Sequence, residues 1–170
     1  MFKINDYVIC SGSGVCVLKD INKGPIEGDP KEYFILEPVN APGNRIYVPT
    51  TQDKIKLRKL ADKDEVLSLI QNVPILEEEN ENNRQREAKY KSIIFQLDVF
   101  NVIKLIKTLY VRTQKRLAEG KKATHTDQKY FKLATQSIHE ELSLVLDIPK
   151  ENIEDYILEN IVKDSNSMSM

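Results

Sequence analysis

The sequence predicts an α+β protein: a small antiparallel β-barrel or sheet at the N-terminus, followed by an all-α domain. Three observations carry this. Up to residue 61 the apolar residues come in short β-type runs divided by Gly- and Pro-rich turns. From residue 62 they recur at helical spacing. Charge is also segregated along the chain. Between Arg84 and Lys132, thirteen lysines and arginines face only four carboxylates, while the whole 170-residue chain nets −1. A cationic block of that size is the electrostatic footprint of a polyanionic partner.

The β half begins with Tyr7-Val8-Ile9-Cys10, a strand ended by the turn Ser11-Gly12-Ser13-Gly14. No third spaced glycine and no helix follow, so this is a hairpin turn rather than a phosphate loop. Val15–Leu18 continues as a second strand, with Ile21 beyond. Residues 22–30 supply Gly and Pro for a connection. Tyr33–Leu36 is a third strand and Arg45–Val48 a fourth, stopped by Pro49. Ile55 and Leu57 alternate with Lys56 and Arg58 in a fifth. Such a module leaves strand edges that can accept a partner's strand. Cys10 and Cys16 make neither a disulfide framework nor a metal set, and read as free small hydrophobes.

In the helical half, Asp62 or Asp64 caps a first helix containing Val66, Leu67, Leu69 and Ile70, interrupted by Pro74. Residues 77–83 form an acidic, amide-rich linker or helix start. A second helix runs from about Arg84 to Leu97, and Asp98 caps the third. There Val99, Val102, Ile103, Ile106, Leu109, Tyr110 and Leu117 build one apolar face. Lys104, Lys107, Arg112 and Lys115 are expected off that face, in solvent. Gly120 closes this helix. Thr124 and Asp127 make a capping-box-like start for a fourth, striped by Phe131, Ala134, Ile138, Leu142 and Val145. Pro149 opens a fifth helix with Ile153, Tyr156, Ile157 and Ile161. The expected domains are therefore 1–61 and 62–164, with a disordered tail at 165–170.

The chemistry-bearing residues argue against an enzyme. His125 falls in a helix cap and His139 on a polar helix side, and neither has a metal-ligand neighbour at useful spacing. No nucleophile elbow, phosphate loop or zinc-protease motif is present. No metal or cofactor is expected. No apolar run reaches the roughly 20 residues that cross a bilayer, and no signal-peptide core is seen, so no membrane role and a cytoplasmic location are expected.

Several stretches together resemble the bacterial CarD/CdnL family of RNA polymerase-binding transcription regulators. They are Phe2-Lys3-Ile4-Asn5-Asp6-Tyr7-Val8-Ile9 with Gly14-Val15, Lys31-Glu32-Tyr33-Phe34-Ile35-Leu36, and Tyr47-Val48-Pro49 with Leu57-Arg58. In the helical half Arg86, Asp98-Val99, Leu109-Tyr110 and Thr124…Ala134…Glu141-Leu142 match. The resemblance implies a Tudor-like domain that binds the polymerase β subunit, and a helical domain that touches promoter DNA at the upstream edge of the bubble. Binding both would stabilise the open complex. The implied polymerase-facing residues are Ile26, Tyr47 and Pro49. Lys23 and Arg45 stand in for the arginines that family members often carry at the positions of Gly24 and Tyr47. The implied DNA-facing residues are Asn83, Arg84, Arg86, Lys89, Lys129 and Lys132. Asn83 occupies the place of a family tryptophan that wedges into the minor groove, and an amide cannot wedge. DNA contact is therefore expected to be backbone contact without sequence readout. A monomer, nucleoid-associated through polymerase, is also expected. A rival expectation is an adaptor that binds polymerase through the β domain and makes no DNA contact.

Overall fold

The computed structural model describes residues 2–51, 57–76 and 82–168, with side chains to Ile161. The chain divides into two compact units, Met1–Leu60 and Ala61–Met170.

The first unit is one antiparallel sheet. Its strands are β1 (Tyr7–Cys10), β2 (Gly14–Lys23), β3 (Glu32–Pro38), β4 (Ile46–Pro49) and β5 (Leu57–Lys59). Their order is β4-β3-β2-β1-β5, so β4 and β5 are the edges. Gly12 and Gly14 take positive φ (79° and 82°) in the β1–β2 turn, a conformation that costs glycine little. The β2–β3 register shifts between Leu18 and Asp20, a bulge that lets the long β2 bend. One face carries the core: Val8, Cys10, Cys16, Leu18, Leu36 and Val48, flanked by Phe2, Ile21, Phe34, Ile46 and Leu57. Both cysteines are buried thiols. Pro49 is the last residue of β4, on an edge strand where proline is tolerated. Of the expected fifth strand, Ile55 and Lys56 lie outside the described residues.

The second unit is α1 (Lys63–Asn72), α2 (Asn83–Gln96), α3 (Val99–Ala118), α4 (His125–Leu146) and, after a 3-10 turn at Lys150–Asn152, α5 (Ile153–Met168). The helix starts follow capping chemistry. Side chains of Asp62, Asn82, Asp98 and Thr124 accept from the backbone N–H of Glu65, Gln85, Asn101 and Asp127. Asn82 and Gln85 complete a reciprocal capping box, which makes Asn83 the first helical residue. Gly120, at φ 76°, follows the end of α3. The core gathers Val66, Ile70, Val102, Ile106, Leu109, Ile138, Leu142, Ile153 and Ile157 with their neighbours. The buried Glu141 carboxylate accepts the Ala61 N–H at 3.0 Å and ties the start of this unit to α4.

Several expectations for α3 and α4 fail. Lys107 is buried, and its Nζ donates to the Val73 carbonyl at 2.7 Å. That carbonyl lies at the end of α1, where backbone acceptors lack helical partners. Arg112 turns inward too, with Nε 3.2 Å from Asp127 Oδ2. The Asp127 carboxylate is thereby committed to α3 rather than to the capping box. Leu117 is 52% exposed, because the last turns of α3 run past the core. The buried residues of α4 include Tyr130, Thr135 and Glu141, which the apolar stripe did not contain.

Candidate functional site

In the β unit the expected residues collect around edge strand β4. Register pairs Tyr47 with Ile35 and Pro49 with Tyr33. Val48 is buried in the core, so by alternation Tyr47 and Pro49 project from the opposite face. The Tyr33 and Tyr47 rings meet edge to face, with centroids 6.5 Å apart. Tyr33 donates its hydroxyl to Asp29 Oδ2 at 2.7 Å. The Lys31 N–H on Asp29 Oδ1, and then the Tyr33 hydroxyl, hold the Asp29 carboxyl below its usual range, and Asp29 in turn pushes the Tyr33 phenol up. Lys23 ends β2 opposite Glu32. Arg45 precedes β4, and Ile26, in the β2–β3 loop, is 66% exposed.

The backbone of β4 is part of this surface. Thr50 N–H donates to Glu32 O at 3.0 Å, in register with the ladder. Two-residue alternation then turns Val48 and Ile46 toward β3 and leaves the Arg45 and Tyr47 peptide groups facing outward. Pro49 has no N–H to offer. The edge can thus take a short partner strand at Arg45–Tyr47 and no further.

In the helical unit, α2 packs on α4 through Tyr90 and Tyr130, whose ring centroids lie 5.6 Å apart. Tyr90 is the one buried residue of α2, so most of that helix faces solvent. Arg112 Nη1 reaches the Tyr90 hydroxyl at 3.5 Å and ties the pair to α3. Asn83 and Arg84 are exposed in the first turn of α2, and Lys129 and Lys132 are exposed on α4. The Lys129 ammonium sits 5.4 Å from the Tyr130 ring centroid, fixing it at the α2–α4 seam. Arg86 and Lys89 are half-buried and engaged in interactions of their own. The cationic block is therefore not one patch. Arg84 lies on a different side of α2 from Arg86 and Lys89, and two α3 cations are structural.

Residues 2–61 match the family model described as CarD-like/TRCF RID domain, and residues 65–158 match CarD, C-terminal domain. The chain belongs to the CarD/CdnL family. A search of curated proteins gave no match. Membership makes this a transcription-related, RNA polymerase-interacting protein of a non-enzymatic family. Among the described residues no helix is long and apolar enough to cross a membrane.

Against the CarD/CdnL pattern, the glycine at 24 has a steric cause. A Cβ there would lie 2.7 Å from Tyr33 Cε2 and 2.8 Å from Cδ2. While Asp29 pins the Tyr33 ring, no side chain fits at 24. An aromatic pair thus occupies the surface where an arginine was expected. Sequence reading missed Tyr33 and Asp29, although their spacing of four across a turn, with Gly24 upstream, was visible.

Proposed function

We propose that this CarD/CdnL protein bridges the RNA polymerase β subunit and promoter DNA and thereby stabilises the open complex. One observation carries the reading furthest: a polymerase-interacting domain shares the chain with a helical unit that exposes Arg84 on α2 and Lys129 and Lys132 on α4. The Tyr33–Tyr47 face and the short β4 edge bind the β subunit, with Ile26, Pro49, Lys23 and Arg45 around them. The exposed cations bind phosphates without reading bases. Asn83 adds hydrogen bonding and no wedge. Binding both partners from one chain gives the second contact an effective concentration. The complex shifts toward the open promoter only by the protein's differential affinity for that state, tenfold for about 1.4 kcal/mol.

The inward turn of Lys107 and Arg112 favours the rival reading, an adaptor without DNA contact, because it thins the exposed charge. Duplex binding measured against salt separates the two. Each neutralised phosphate steepens the log–log slope by about 0.9. The bridging reading expects the triple variant R84Q/K129Q/K132Q to flatten that slope by about 2 to 3. An unchanged slope, or no duplex binding at all, rejects it in favour of the adaptor.

A further inference from the structure

Two exposed phenylalanines mark the corner between α2 and α3. Phe95 is 53% exposed in the last turn of α2, and Phe100 is 38% exposed in the first turn of α3. Leu97, left-handed at φ 57°, and the Asp98 cap are the whole connection between the two helices. Grouped apolar rings rimmed by polar residues are what marks an interaction surface, whereas single exposed ones are ordinary.

Their surroundings are cationic and ordered. Arg84, Ala88, Lys91 and Phe95 recur at intervals of four, three and four residues, which stacks them in one stripe along α2. All four are exposed, while Tyr90 buries a different side of the helix. At 1.5 Å per residue the stripe runs about 16 Å. Lys104 continues the pattern on α3, its ammonium 5.7 Å from the Phe100 ring centroid. No ion pair of Arg84 or Lys91 occurs among the described residues. One carboxylate, Glu87, borders the stripe, three residues from Arg84 and four from Lys91, against the three cations Arg84, Lys91 and Lys104.

We infer that this stripe and corner bind single-stranded DNA: Arg84, Lys91 and Lys104 hold phosphates while Phe95 and Phe100 stack unpaired bases. A protein partner would explain the rings, but not cations spaced along a groove-free helix leading to them. Alternation of positive charge with exposed aromatic rings is the chemistry of sequence-tolerant single-strand binding. The inference rests on the reading that the helical unit meets promoter DNA. It adds the strand: bases released on opening stack here, and duplex bases cannot. That gives the protein its differential affinity for the opened state.

The test uses the full chain with fluorescent oligonucleotides, single-stranded and duplex, and the variants F95A, F100A and R84Q/K91Q. Both phenylalanines are surface residues, so the fold should survive. Stacking is worth roughly 1–3 kcal/mol per base, so each alanine should weaken single-strand binding about fivefold or more and leave duplex binding unchanged. A second readout is F95W. The chain has no tryptophan, so the new emission reports this position alone and should be quenched by the single strand. Full single-strand affinity in both alanine variants, with R84Q/K91Q weakening both DNA forms, overturns stacking and keeps promoter contact. Absence of binding to either DNA form overturns the inference together with the reading beneath it.

Discussion

Replacing Arg112 with methionine should destabilise the helical unit by about 2–4 kcal/mol while leaving duplex binding unchanged. The magnitude follows from burial. The Asp127 side chain is 3% exposed, and its Oδ2 lies 3.2 Å from Arg112 Nε. Stranding a buried charge by removing its partner costs about 3–5 kcal/mol. Arg112 is 22% exposed, so water reaches one side of the pair and lowers that cost to about 2–4 kcal/mol. The same side chain touches the Tyr90 hydroxyl, so its loss also loosens α2 on α4. Methionine keeps most of the volume, which makes the lost interaction electrostatic rather than a cavity. Urea unfolding of the full chain, followed by far-UV circular dichroism, measures the loss. The double variant R112M/D127L should recover most of it, because neither partner is left stranded. A single-variant loss below about 1 kcal/mol, or a double variant as unstable as the single, would refute the reasoning. A changed salt slope for R112M would place Arg112 back on the DNA surface.

Two further expectations concern pH and the β unit. Burial pushes the His139 imidazole below its ordinary value of 6.5, with Lys150 acting in the same direction and Glu140 and Glu151 against it. As pH falls through 6.5 the unfolded chain takes the proton first. The contribution of neutral His139 is thus complete above 6.5 and lost below it. Stability of wild type should drop across pH 6.5 to 5 more steeply than that of H139Q; parallel curves would show that His139 is indifferent to folding. In the β unit, G24A should displace the Tyr33 ring and weaken capture of a polymerase β fragment, and Y33A should rescue the clash without restoring capture. Wild-type capture by G24A would mean that the ring does not form the docking face.

Much of the fold was legible because it rests on local chemistry. Asp62, Asp98 and Thr124 cap the helices that their positions announced, and Gly120 follows α3 as a left-handed glycine should. Strand periodicity likewise exposes Tyr47 opposite the buried Val48. What stayed hidden was chosen by tertiary partners. Lys107 sits next to the apolar stripe of α3, and nothing local says that the Val73 carbonyl awaits its ammonium. Arg112 looks like a solvated cation until α4 brings Asp127 beneath it. Tyr130 was overlooked because its neighbour Phe131 fits the stripe as well, and only the Tyr90 ring across the seam decides between them. Phe95 and Phe100 show the reverse. Each reads as core by composition, yet the short connection at Leu97 and Asp98 leaves both rings outside.

The lifetime of the open promoter complex, measured on polymerase challenged with competitor DNA, tests the bridge most directly. Saturating wild-type protein should lengthen it, and Y47A and R84Q/K129Q/K132Q should each remove the gain, one from either side. A lifetime indifferent to the wild-type protein, or lengthened as much by the triple variant, would contradict the account.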